Sequence, residues 1–390
     1  MRKLSAFILF FISGFVSAQT TKLSERATIS VITCGPFQQE LYSAFGHSAI
    51  RVFDASQGID EGYNYGVFDF DRPNFYLNFA RGFLYYNLGV YDYPRFRDFY
   101  IYHNRYIHEQ VLNLSQEQKQ KLFDYLRWNA QPENQFYRYD YFYNNCATKI
   151  RDVIKEVLGD DVTFDGSYIT TDYTIRDLTD IYLQQQPWGD LGIDICLGLP
   201  MDKKASPYEY MFLPDYIESG FDHATLKRDS VIIPIVKEKI SIYESREEDL
   251  PAGLPHPLLV FSIVAVCIIA ISIWDVKRKK LSSWLDVILF GATGVVGMLL
   301  FFLWFFTDHN AAANNLNILW AIPTHLVAVV ALIRSPAWLA KYFLITALIQ
   351  GILLLGWFIM PQQLNVALIP IVIALLLRAF LQFQFRPRAG

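Results

Sequence analysis

The sequence predicts an α+β domain followed by an all-α domain of five transmembrane helices. Three features carry that expectation. Residues 19–245 are aromatic-rich and mixed in charge, whereas the chain beyond 257 is strongly apolar. The first part alternates short β-patterned runs with amphipathic helical ones. Finally, Met1-Arg2-Lys3, the apolar run Leu4 to Val16 and Ser17-Ala18-Gln19 form the basic, apolar and small-residue parts of a secretory signal. Cleavage is expected after Ala18, with an uncleaved anchor as the alternative, and either outcome exports residues 19–245. A net charge of −4 offers no basic excess for nucleic acid.

Residues 27–33 read as a strand, and Pro36 to Phe45 as a turn or short helix. A second strand begins at or near His47, and a third covers Tyr63 to Asp69. The polar turn between them, centred near Gln57–Gly58, predicts a hairpin that sets His47 roughly opposite Asp69, with Asn64 nearer the turn. Residues 71–110 are dense in Tyr, Phe and Arg, the composition of a core shell, a lipid-facing wall or both. Ser115 with Gln118 predicts a capped helix. An aromatic strand then covers Phe136 to Tyr143, a helix about 172–185, a loop from Pro187 through Asp190, Asp194 and Cys196, and strands 229–243. Residues 246–256, rich in proline and charge, are the linker.

Apolar runs at about 257–274, 285–306, 317–333, 339–359 and 364–384 each approach the length that spans a bilayer. The third is interrupted by Pro323 and His325. Lys277 to Lys280 follow the first run, Arg334 and Lys341 the third, and Arg386 and Arg388 the fifth, while the other two loops carry no Lys or Arg. The positive-inside bias therefore agrees with the export signal: N-terminal domain outside, C-terminus in the cytoplasm. The outer loop with Asp308, His309, Asn315 and Asn317 is either a solvated connector or a polar patch held against the exported domain, helping to place a lipid headgroup.

The chemistry is expected at Cys146. Asn144 and Asn145 immediately precede it, and Asn is a good N-cap, while Ala147, Ile150, Val153, Ile154, Val157 and Leu158 recur at helical spacing. A thiol in a first turn feels the positive end of the helix dipole. Taken alone, Cys146 reads more readily as a small buried hydrophobe than as a reactive thiol. A nucleophilic thiol needs a base, and His47 at a strand start is the best candidate, with Asn64 or Asp69 to orient it. Cys34 and Cys196, both exported, are a candidate disulfide in an oxidising compartment. No Cys/His cluster indicates a metal, and no phosphate loop or Gly-x-Ser-x-Gly elbow occurs, so no cofactor is expected.

A histidine on a strand, a polar residue on the next strand, then Asn-Cys at a helix start resembles the circularly permuted, NlpC-type branch of the papain-like enzymes. That branch includes the lecithin:retinol acyltransferase group. More closely, Leu41 to Val52, Tyr63 to Phe70 and Asn144 to Asp152 resemble the Lnb family of lipoprotein N-acyltransferases, as do Thr307 to His309 and Asn315 to Asn317. The resemblance implies a papain-like sheet, Cys146 as nucleophile, His47 as base and Asn64 as third member, with Asp69 as geometric rival. Asp308, His309 and Asn317 become substrate-binding candidates. It also implies acyl transfer from a membrane phospholipid through a thioester to a diacylated lipoprotein, at the outer face of the inner membrane. A wall peptidase, a phospholipase and an idle scaffold are the alternatives.

Overall fold

The computed structural model describes residues 21–246 and 253–386; the expected signal segment and part of the linker lie outside them. The N-terminal part runs β1 (Thr28–Cys34), β2 (His47–Asp54), β3 (Ile59–Val67), α1 (Phe75–Arg81), β4 (Tyr85–Asp92), α2 (Tyr93–Tyr102), β5 (Ile107–Leu112), α3 (Gln116–Asn129), β6 (Phe136–Arg138) and α4 (Cys146–Leu158). It continues through β7 (Val162–Thr163), α5 (Ile175–Leu183), α6 (Pro187–Cys196), α7 (Pro207–Tyr210), α8 (Pro214–His223), β8 (Thr225–Arg228), β9 (Val231–Pro234) and β10 (Val236–Tyr243). Seven strands form one antiparallel sheet in the order β10-β5-β1-β2-β3-β4-β6. β7, β8 and β9 form a smaller one.

The α4 stripe predicted from spacing is the stripe that is buried, with Ala147, Ile150, Val153, Ile154, Val157 and Leu158 in the core. They meet Val31, Ile50, Val52 and Tyr63 of the central strands, each large apolar side chain contributing about 1.5–3 kcal/mol when removed from water. Asn145 caps the helix: its side chain accepts from Thr148 N–H, and the Thr148 hydroxyl accepts from Asn145 N–H at 2.8 Å. This reciprocal pair holds the first turn, and Cys146 with it.

Three expectations about elements are corrected. The loop from Pro187 is helix α6, because Pro at the first helical position is preset for a helix and lacks only an N–H that would have been orphaned. The aromatic run from Phe136 is a strand only to Arg138; Asp140 then folds back, its carboxylate accepting from the Phe142 and Tyr143 amides. The hairpin also turns earlier than expected. Asp54 pairs with Ile59 and Ile50 with Tyr63, so continuing that register sets His47 level with Gly66.

The C-terminal part comprises α9 (Pro257–Arg278), α10 (Ser283–Phe306), α11 (His325–Arg334), α12 (Trp338–Gly356) and α13 (Ile369–Gln384). Among the described residues four helices are long and apolar enough to cross a membrane: α9, α10, α12 and the stretch Val366–Gln384. The expected third span is not one of them. Its helix is confined to the ten residues of α11, about 15 Å at 1.5 Å per residue, half of a hydrocarbon core. Pro323, which cannot donate to a helical hydrogen bond, separates α11 from the 3₁₀ turn at Leu316–Leu319. Buried between α9, α10 and α13, Arg378 pairs with Asp286 at 2.7 Å and Asp275 at 2.9 Å.

The two parts are docked through polar contacts. Asn315 and Asn317 donate to the Asp194, Ile195 and Cys196 carbonyls. They thereby satisfy acceptors that the end of α6 leaves unpaired. Gln362 donates to the Leu197 carbonyl at 3.0 Å, and Asn365 reaches both Asp190 and Asp194. A Cβ on Gly198 would fall 1.9 Å from the Ala313 carbonyl oxygen, so only glycine allows this approach. At the opposite edge, Asp308 pairs with Arg138 and its N–H donates to the Arg81 carbonyl.

Candidate active site

His47 opens β2 and Asn64 lies on β3. Because Gly66 is level with His47, Asn64 is its diagonal neighbour on the same face of the sheet, and His47 Nε2 lies 2.5 Å from Asn64 Oδ1. An amide oxygen only accepts, so Nε2 carries the proton and Nδ1 is left unprotonated. The imidazole stacks on Tyr100, with centroids 6.3 Å apart and planes at 12°. Asp69, the rival orienter, lies beyond the end of β3, exposed, and its carboxylate accepts from Asp71 N–H in its own turn.

Cys146 is half-buried at the first residue of α4. Gly66 is what lets the strand approach it. A Cβ there would lie 3.5 Å from the Cys146 Cβ and 3.4 Å from the Tyr139 ring. The position has φ +89, within a bulge between Asn64 and Val67, where an L side chain would be strained. Burial pushes the Cys146 thiol up to about 11, against the backbone N–H groups of Ser48, Ala147 and Cys146 itself and the Arg105 charge, which lower it. Ser48 directly follows His47, so the thiol sits where β2 begins. Burial also drives His47 down to about 4, opposed by the Asn64 bond. At neutral pH the resting pair is therefore thiol and neutral imidazole. The helix dipole anticipated from sequence is outweighed by desolvation.

Two neighbours escaped the sequence reading. Arg105 is buried, donates to the Gly35 carbonyl at 2.6 Å and lies over the Tyr100 ring. Its charge lowers the pKa of both Cys146 and His47. Tyr137 has a buried hydroxyl beside the Gly66 backbone, 3.9 Å from where a Gly66 Cβ would be. Both lie in the aromatic, Arg-rich stretches, but nothing in their spacing marks them.

Cys34 and Cys196, the candidate disulfide pair, are both free thiols. Cys34 is fully buried in β1, paired with His47 across the ladder, whereas Cys196 ends α6 at the junction with the membrane helices. Asn317 is buried, donating to the Asp194 and Ile195 carbonyls and accepting from Trp320 Nε1 at 2.8 Å. It is a strut between the domains rather than an open ligand-binding group. Asp308 and His309 also tie the two parts together, and each retains exposed surface. Three carboxylates, of Asp180, Asp190 and Asp194, have oxygens within 4.8 Å of one another at the junction, a cluster the sequence reading did not anticipate.

Residues 16–180 match the model of the Lnb N-terminal periplasmic domain, and residues 249–388 match that of the Lnb transmembrane domain. The chain belongs to the Lnb family. The two matches occur in the order expected from the residue blocks around His47, Asn64 and Cys146 and from the outer loop. Membership makes this a membrane-anchored Lnb protein with its N-terminal part in the periplasm. No curated protein and no solved structure matches the chain significantly.

Proposed function

We propose that this Lnb protein is a lipoprotein N-acyltransferase working through a Cys146 thioester. The observation that carries the proposal is the His47–Asn64 pair at the start of β2, with the Cys146 thiol against the same strand end. The succession of strand histidine, strand asparagine and helix-start cysteine supports a circularly permuted, NlpC-type papain-like domain, with residues 19–245 as the catalytic unit.

In the first half-reaction His47 Nδ1 takes the thiol proton as sulfur attacks an ester carbonyl of a membrane phospholipid. The imidazolium gains from its bond to Asn64 as charge develops. The tetrahedral oxyanion takes a hydrogen bond from Cys146 N–H, and the buried Tyr137 hydroxyl supplies a second donor. Collapse breaks the ester C–O bond; the departing lysophospholipid oxygen takes the proton back from His47, leaving an S-acyl enzyme. In the second half-reaction the α-amine of a diacylglyceryl-cysteine attacks the thioester and loses a proton to His47. The thiolate leaves and is reprotonated by the imidazolium. The products are an N-acylated lipoprotein and free Cys146, with no cofactor consumed.

The membrane helices serve proximity. Both substrates are confined to one leaflet, so a site docked on the membrane domain meets them at high local concentration. The same reading puts the protein in the inner membrane with a cytoplasmic C-terminus, which the basic residues after α9 and α11 support.

The test is acyl transfer by purified protein given a phospholipid with a labelled acyl chain, with and without a diacyl lipopeptide. Label on the peptide amine, lost in Cys146→Ala and His47→Ala, supports the proposal. Free labelled fatty acid alone indicates a phospholipase, and muropeptide cleavage a wall peptidase. Full function in cells carrying Cys146→Ala indicates a scaffold.

A further inference from the structure

We infer that α1 is seated in the outer leaflet and forms the lip through which an acyl chain passes towards Cys146. The destination of the chain rests on the acyl-transfer reading; the seat of α1 in lipid does not.

The helix reads Phe75-Tyr76-Leu77-Asn78-Phe79-Ala80-Arg81, and none of its seven side chains is buried. Tyr76 is 73% exposed and Leu77 56%, with Phe70, Phe79 and Tyr85 exposed around them. A helix this short gains little from its own hydrogen bonds, and a contiguous apolar surface of this kind marks a binding face.

What covers that face follows from how α1 is held. The His309 imidazole bonds the Phe79 carbonyl at 3.0 Å, and Asp308 N–H donates to the Arg81 carbonyl at 2.9 Å. Gly82, with φ +80, brings the backbone so close that a Cβ would meet Asp308 and His309 at 2.8 Å. The end of α1 is thus fastened to the residues that leave membrane helix α10 at Phe306. Phe305 and Phe306 are themselves exposed at the end of that helix. The apolar face of α1 therefore continues the surface that α10 shows to lipid, at the depth where hydrocarbon meets headgroups. Arg72 and Arg81 flank it, stacked on Phe136 and Phe83, which suits phosphate-bearing headgroups.

Behind α1 a cavity of about 150 Å³ is lined by Arg72, Phe75, Phe79, Phe83 and Tyr86, among others. A continuous run of rings leads inward from it. Phe79 meets Phe75 at 6.2 Å, Phe75 meets Phe68 at 6.3 Å, Phe68 meets Tyr86 at 5.2 Å and Tyr86 meets Tyr139 at 4.4 Å. Tyr139 borders Gly66, the glycine that also touches Cys146. The run offers an acyl chain an apolar wall from the leaflet to the thiol.

The test uses the full-length protein in phosphatidylethanolamine–phosphatidylglycerol vesicles, with p-benzoylphenylalanine in place of Tyr76, of Leu77 or, for comparison, of Ile232 on exposed β9. After irradiation, mass spectrometry of the peptides is expected to find phospholipid adducts at positions 76 and 77 at least tenfold above position 232. Equal labelling at all three, or adducts to protein only, would overturn the inference. In parallel, Tyr76→Asp/Leu77→Asp is expected to lower transfer from vesicle phospholipid at least tenfold through KM, while Tyr76→Trp/Leu77→Phe retains it. Unchanged KM in the Asp variant would overturn the route. A burst of p-nitrophenol from p-nitrophenyl acetate in the unmodified protein, absent in Cys146→Ala, reports the nucleophile separately. No burst in the unmodified protein, or an equal burst in Cys146→Ala, sinks the thioester without touching the cross-linking result.

Discussion

Replacing Asn64 by Ala removes the one side chain bonded to His47 Nε2, across 2.5 Å. In the resting site the lost bond is between neutral groups, because His47 is held down to about 4 by burial. During acylation the imidazole becomes an imidazolium, and the bond becomes charge-assisted, worth about 1.5–3 kcal/mol. At 1.36 kcal/mol per decade, Asn64→Ala should lower kcat/KM for acyl transfer by roughly 10- to 150-fold, with KM changing little. Asn64→Asp retains the acceptor and adds a negative charge. That charge raises the histidine from about 4, so the acid limb of the rate profile should move to higher pH while turnover persists. The assay is transfer of a labelled acyl chain to a diacyl lipopeptide between pH 4 and 9, with thermal melting to check that each variant is folded. A folded Asn64→Ala protein with the parent rate and profile would refute the orienting role.

The neutral resting pair predicts that iodoacetamide alkylation of Cys146 accelerates about tenfold per pH unit above 7, toward the thiol value of about 11. A stored thiolate–imidazolium pair would instead plateau near neutrality. Enzyme acylation, read from single-turnover thioester formation, should stay level from about pH 5 to 9 and fall only as His47 protonates near 4, whereas transfer to the peptide should also fall as its α-amine protonates below about 8. At the junction, burial and neighbouring carboxylates raise Asp180 to about 8, and burial with Asp194 raises Asp190 to about 6. A carboxyl raised in the fold favours the folded state while protonated, and that contribution is lost as pH rises through these values. Asp180→Asn should therefore melt higher than the parent at pH 8.5 and close to it at pH 5. Arg378→Met would leave Asp286 buried with no cation and take from Asp275 one of its two. Stranding a buried charge costs about 3–5 kcal/mol, so detergent-solubilised Arg378→Met should show a sharply lower melting temperature, and an unchanged one would contradict the network.

The α4 stripe, an asparagine cap before it and the Ser115 capping box are patterns local in sequence, and each forms as its spacing implies, with Asn145 rather than Asn144 as the cap. The apolar runs likewise announce the membrane helices, because length and composition are one-dimensional properties. Asn64 matched the family pattern, while the hairpin geometry favoured Asp69. That geometry misled because the turn closes one residue earlier than its glycine suggests, which moves the residue opposite His47 from about Asp69 to Gly66. The third apolar run has the composition of a span, but Pro323 and the hydrogen bonds of Asn315 and Asn317 to α6 hold its first half in the docking interface.

Composition and spacing by themselves determined that the chain is an exported sheet-and-helix domain on membrane helices, with a cysteine at a helix start and a histidine at a strand start. Those depend on nearest neighbours along the chain. Tertiary structure alone decided that the thiol and imidazole rest neutral, that Arg105 and Tyr137 border them, that Cys34 and Cys196 stay apart and that α1 lies at the mouth of α10. Burial, charge proximity and interdomain contact arise between residues far apart in sequence, and only the fold brings those residues together.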